Sequence, residues 1–197
     1  MTSLLFFAPS CIKAKKNPSN KILKMAYFGR GLSTFNFPCK NRVCLDILHL
    51  TSEGLVRTKY RNNELILEPA LAKSWAFTNP TTLTIKLREN QKKSDGTHLI
   101  AQDFVNAWRQ TLELKDIDAA SPFFMIANAK EFFQRKVPFS KVGIKAIDNS
   151  TIELRLIDPS THFIWSLATP SFRLREFNGY SVGPMTLAQK PHSLDFI

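Results

Sequence analysis

The run from Lys93 to Leu114, KSDGTHLIAQDFVNAWRQTLEL, constrains the fold of this chain more than any other stretch. It opens on Ser94-Asp95-Gly96, where a short side chain that bonds nearby backbone precedes a residue free to take positive φ, so a turn is predicted. Beyond it Ala101, Phe104, Trp108 and Leu112 recur at helical spacing, with Gln102, Asn106, Arg109 and Gln110 off that stripe. A helix so patterned has to bury one face against a core. Asp103 falls near its start, where a carboxylate suits the positive end of the helix dipole. Alternation supplies the partner: Leu83, Ile85 and Leu87 within 81–88, and Ile152, Leu154 and Leu156 within 151–157, predict half-buried strands. Val56–Tyr60 and Leu65–Leu67 around Arg61-Asn62-Asn63 predict a hairpin. Lys21–Phe28 predicts a first strand, and Cys44–Ser52, Ile126–Arg135 and Phe163–Leu167 predict helices. The class is α/β, in the α+β sense of a mixed sheet with flanking helices.

Composition narrows what such a fold does. With 197 residues, 44% hydrophobic and 22% charged, the chain suffices for one domain with its own core and is short for two. No apolar run approaches the ~20 residues that span a bilayer. The net charge of +11 sits mostly in residues 1–61, which hold eleven Lys and Arg against Asp46 and Glu53. A basic N-terminal region on a nearly neutral body is not a broad nucleic-acid face; it fits a tail beside an anionic membrane surface better. Nucleic-acid binding stays as an alternative on Lys13, Lys15, Lys16, Lys21, Lys24 and Arg30 with Tyr27 and Phe28 nearby. Enzyme motifs are missing, with no G-x-S-x-G, H-E-x-x-H or P-loop, so no catalytic residue and no cofactor is assigned. His49, His98, His162 and His192 lack metal-ligand spacing, and no metal site is assigned. Cys39 and Cys44 are read as small buried thiols, with pairing across a turn as the alternative. Asn149-Ser150-Thr151, beside Asp148, reads as a turn rather than a glycosylation site.

Several short motifs then fall in one order. The Lys93–Leu114 stretch resembles the W-S-D/N-G-x-P-V-T-A-x-D-F-V-x-S-W segment of the oligopeptide-binding proteins that serve bacterial ABC uptake systems. Glu53-Gly54-Leu55-Val56 matches that family's F-E-G-L-V, Pro69–Trp75 its P-A-L-A-E-S-W, and Thr81–Arg88 its L-T-Y-T-F-x-L-R. Ala120–Phe123 resembles A-S-P-Y, Ile126–Glu131 resembles I-K-N-A-x-E, and Val142–Asp148 matches L-G-V-K-A-L-D. The resemblance covers residues 21–175. Lys93 replaces the family's Trp and His98 its Pro. Separately, Cys11 follows the apolar run Leu4–Ala8 and small Ser10, and resembles the acylated cysteine of a lipobox.

The resemblance implies a partial two-lobed periplasmic-binding-protein fold, its small lobe complete and its base lobe incomplete. Residues 1–20 would be a lipoprotein signal and basic linker, 21–55 the start of the base lobe, 56–170 the inserted smaller lobe, and 171–197 a stub of return. The implied function is the peptide-binding component of an oligopeptide uptake system, truncated, with impaired or absent ligand capture. Its partners would be short peptides and the permease subunits. Its place would be the periplasm or cell envelope, lipid-anchored through Cys11, or the cytoplasm if the N-terminus is not a signal. Counting back from Glu53, the family's peptide-contacting loop falls on Lys40, Asn41, Arg42 and Val43, with Lys40 where the family is acidic. Phe123 falls where a Tyr lies over the peptide, core packing being its alternative role. An orphan lobe acting as a protein-interaction module is a further alternative.

Overall fold

A computed structural model describes residues 38–174 and 182–185, and the strands Leu187–Lys190 and Ser193–Phe196. The predicted strand at 21–28 and Cys11 lie outside the described residues. The first helix, α1 (Arg42–Thr51), starts at Asn41, whose Oδ1 accepts the Cys44 N–H at 2.8 Å. A hairpin follows, β1 (Val56–Arg61) and β2 (Glu64–Pro69), closed by Asn62 and Asn63 at φ 49° and 63°. Two consecutive left-handed residues are what a tight two-residue hairpin turn requires, and Asn tolerates that conformation better than most.

The core sheet is four antiparallel strands in the order β3 (Ala72–Asn79), β4 (Thr82–Leu87), β6 (Thr151–Arg155), β5 (Ile144–Ala146). Register aligns the predicted apolar alternation, Ile85 opposite Ile152 and Leu83 opposite Leu154. All four are fully buried. The opposite face carries Ser74, Thr84, Lys86, Glu153 and Arg155 and stays partly or wholly in solvent. At the β5 edge the backbones close up. A Cβ on Gly143 would sit 2.5 Å from the Arg155 carbonyl oxygen, so only glycine fits there.

The predicted helix is α2 (Ala101–Glu113), and its stripe of Ala101, Phe104, Trp108 and Leu112 is 0% exposed. Val105, Ala107 and Thr111 are buried beside it, so the covered face is wider than the strict periodicity suggested. Short helices complete the layer: α3 (Ile117–Ala120), α4 (Ala129–Phe133) and α5 (Phe163–Ser166), with 3₁₀ turns at Ser121–Met125, Phe139–Lys141 and Pro170–Phe172. Their rings meet in one cluster. Trp108 lies 5.5 Å from Phe172 and 6.3 Å from Phe123, edge-on to each, and its Nε1–H donates to the Phe172 carbonyl at 3.1 Å. Burying such a side chain is worth about 1.5–3 kcal/mol, and the indole's polar atom is satisfied rather than stranded.

Several expectations need correction. Cys39 and Cys44 are not thiols; they form a disulfide with Cα atoms 5.2 Å apart. The α1 turn that Asn41 caps brings them together, and so short a loop gains about 2 kcal/mol from chain entropy. The helix predicted to reach Arg135 stops at Phe133, because Arg135 turns left-handed at φ 62°. Near the chain end, where no element was predicted, β7 (Leu187–Lys190) and β8 (Ser193–Phe196) form an antiparallel hairpin.

Candidate functional site

The chain passes into and out of the sheet-and-helix body through a narrow neck. Glu53 and Leu174 form an antiparallel bridge, with the Leu174 N–H donating to the Glu53 carbonyl at 3.2 Å. Directly after Glu53 the Leu55 carbonyl accepts from both Ala70 and Ala72, at 3.0 and 2.9 Å, and so ties the outgoing strand to β3. Arg173 spans the two passes. One of its terminal nitrogens donates to the Ser52 carbonyl at 3.1 Å, while its buried Nε has no partner. Burial presses the guanidinium's pKa down, nearby Glu53 opposes this, and Arg57 adds to it. Glu53 also pairs with Arg57 at 3.4 Å.

A third pass rests against the same place. The Gly183 and Met185 N–H groups donate to the Thr51 and Leu50 carbonyls, both at 3.0 Å, and satisfy acceptors left open at the end of α1. A Cβ on Gly183 would lie 2.3 Å from the Thr51 carbonyl carbon and 2.5 Å from the Ser52 nitrogen. No side chain can occupy that position without moving the backbone. The neck therefore joins α1 and the body by a few main-chain bonds and one partly satisfied arginine, with one partly exposed ion pair at the far end of α1, a geometry suited to bending rather than to chemistry.

The residues predicted to touch a peptide do not gather on one surface. Asn41 is exposed, but its amide oxygen is committed to capping α1. Arg42 is exposed and pairs with Asp46 at 2.7 Å, and Val43 is half-buried. Lys40 reaches Asp116 at 3.2 Å, tying the start of α1 to the cap of α3. The Asp116 carboxyl is held below its ordinary value, first by the Ala119 backbone N–H and further by Lys40. Phe123 departs from its predicted role. It is 0% exposed, with its ring 4.1 Å from that of Phe172, and in this conformation it offers a ligand no surface. Its core role is the one the geometry supports.

Sequence reasoning missed Arg173 and the function of Gly183. Arg173 carries no motif around it. For Gly183, only the structure shows which backbone it must approach. The loss of the family's Trp at Lys93 has a physical answer as well. Lys93 Nζ lies 3.2 Å from Asp103 Oδ1, both side chains nearly nine-tenths buried, and Asp103 Oδ2 accepts the Ile100 N–H at 2.9 Å. An ion pair has replaced a ring.

Residues 67–193 match the model of the middle region of bacterial extracellular solute-binding proteins, family 5. The chain belongs to this family. Among family 5 relatives, the periplasmic oligopeptide-binding protein OppA of Escherichia coli is 37% identical over 109 residues, 52% of this chain and 20% of its own length. The dipeptide-binding protein DppE of Bacillus subtilis is 30% identical over 135 residues, 67% of this chain and 24% of its own. The substrate-binding domain of an oligopeptide ABC transporter from Bacillus anthracis superposes with a TM-score of 0.65 at 28% identity, covering 75% of this chain and 31% of that one. Peptide-bound OppA of Listeria monocytogenes superposes at 0.69 with 24% identity, over 81% and 35%, and supports the fold alone. The match thus spans about a quarter or less of these curated family 5 relatives and about a third of the solved chains. The relatives so named are binding proteins rather than enzymes.

Proposed function

We propose that this chain supplies the smaller lobe of a peptide receptor in the cell envelope and hands short peptides to an ABC permease. The observation that carries the reading is the family 5 match over 67–193, most of which is the body beyond the neck. OppA and DppE are named for oligopeptide and dipeptide binding, and a lobe joined through a few main-chain bonds can swing toward an opposite wall to enclose such a ligand. That wall comes from a second lobe, on this polypeptide or another. Residues 56–170 would be the lobe and 21–55 and 171–197 the base side of the neck, with Asn41, Arg42 and Val43 at the cleft rim. Peptide backbone groups would pair with protein main chain, and side chains would enter hydrated pockets. Cys11 is proposed as the lipid attachment point. Metabolic labelling with an alkyne fatty acid should mark the wild type and not Cys11→Ser.

The decisive experiment is thermal unfolding of the full chain with and without a pool of di- to pentapeptides. A peptide at a hundred times its Kd adds about 2.7 kcal/mol, worth several degrees in a domain of this size. A melt that rises with peptide supports the reading. A melt indifferent to millimolar peptide, for the chain alone and for the chain mixed with a family 5 base lobe, would sink it in favour of a protein-interaction module.

A further inference from the structure

Beyond the end of α2, away from the residues of the neck, a groove of about 600 Å³ lies between Glu113–Lys115 and the 132–138 segment. That volume is within the roughly 300–1,000 Å³ of small-molecule sites. Its floor is apolar, with Phe132, Val137 and Pro138, and its rim carries Lys115, Arg135 and Lys136. The charges are not balanced. Glu113 is the one acid lining it, and its carboxylate is taken by Arg109 at 2.8 Å. Among the described residues Arg135 and Lys136 have no carboxylate within ion-pair distance. Lys115 turns to the Phe133 carbonyl and sits 5.0 Å above the centre of that ring. Desolvation lowers its pKa, the like charge of Arg135 lowers it further, and Glu113 opposes them.

Two non-glycine residues on this rim also hold left-handed backbone, Lys115 at φ 59° and Arg135 at φ 62°. The like charges of Lys115 and Arg135 repel one another across this rim. An anion placed between the cations would relieve the repulsion, and an apolar body would cover Phe132, Val137 and Pro138. We infer that this groove binds small amphipathic anions, a carboxylate, sulfonate or phosphate carried on an aromatic or aliphatic body.

The probe is 8-anilinonaphthalene-1-sulfonate, titrated by fluorescence against the full chain, beside the uncharged N-phenyl-1-naphthylamine. The sulfonate should bind saturably with one dominant site and lose affinity as sodium chloride rises. Lys136→Glu and Arg135→Gln, the second keeping a non-glycine residue at the same backbone position, should each weaken it about tenfold. Lys145→Glu, the same charge reversal on the sheet, should change it less than twofold. Circular dichroism melts of each variant separate lost binding from lost folding. If Arg135→Gln unfolds, Lys136→Glu on the exposed rim carries the test alone. Absent binding, equal binding of the neutral analogue, or equal loss in Lys145→Glu would each overturn the inference.

Discussion

Single side chains decide more here by burial than by chemistry. Phe123 touches Trp108 and Phe172 at ring distances and has no exposure, so Phe123→Ala empties a ring-sized space in the centre of the core. The expected cost is about 3–5 kcal/mol, read as a lowered denaturant midpoint, whereas Phe123→Tyr would strand a hydroxyl and also destabilise. A change below about 1 kcal/mol in Phe123→Ala would mean the ring is not in the core at all. His49 makes the opposite kind of case. Burial lowers its pKa below the ordinary 6.5, and Arg173 lowers it further. The unfolded chain therefore takes the proton more readily. Stability attributable to His49 is full above about pH 6.5 and falls as pH drops toward the lowered folded value. Melting temperatures between pH 7.5 and 5 should show a shallow decline that His49→Gln flattens. The lowered carboxyls of Asp95, Asp116 and Asp148 act in a separate window, losing their contribution only as pH falls below about 4.

At the level of elements, what could be read from sequence was what periodicity and turn chemistry encode. Alternation at 83–87 and 152–156 located both central strands, and the 3.6-residue stripe located α2, because each pattern is the direct trace of a buried face. Asn62-Asn63 and Ser94-Asp95-Gly96 marked turns for the same local reason. The three-residue β5 and the four-residue α3 are too short for a period to show, whereas α5 falls within the predicted 163–167 helix, and α4 ended early through a left-handed Arg135 that no sequence rule forces. The disulfide stood only as the alternative to buried thiols because pairing depends on how α1 is capped. The neck was illegible too, since its bonds join residues more than a hundred positions apart, as Ser52 with Arg173. The α2 start carries the sharpest test at this scale. Asp103→Ala removes the acceptor for the Ile100 N–H and takes the facing carboxylate from the largely buried Lys93. Breaking such a pair costs about 3–5 kcal/mol. Lys93→Met together with Asp103→Asn should recover most of that loss, because the asparagine oxygen still accepts from Ile100 and no lone charge stays inside. Urea melts of the single and double variants measure both.

Across the whole molecule the body is one cooperative block. From Leu55 to Leu174 its buried residues form a single apolar cluster that takes in all four sheet strands and the long helix. The returning segment at 182–185 is held mainly by two main-chain bonds onto the end of α1 and the close approach at Gly183, with half-buried Val182 its one apolar side chain packed on the core cluster. These two modes of attachment predict separable stabilities, since a contact made of few buried groups opens without global unfolding. Gly183→Ala forces its Cβ into the Thr51–Ser52 backbone, where no flexible side chain can yield. The expected result is release of this segment, with the amides of Gly183→Ala at positions 183 and 185 exchanging hydrogen at least tenfold faster than in the parent. Amides of β4 and β6 should keep their protection to within about twofold, because their bonds lie inside the core. Loss of protection throughout would show that the third pass is part of the folding unit rather than a strap across the neck. Unchanged exchange at 185 would show that the close approach at Thr51 does not hold the segment. With the strap released and the core intact, the Glu53–Leu174 bridge, Arg173 and the Lys40–Asp116 pair would still connect α1 to the body, and the same variant then asks whether ligand-linked motion depends on that third strand.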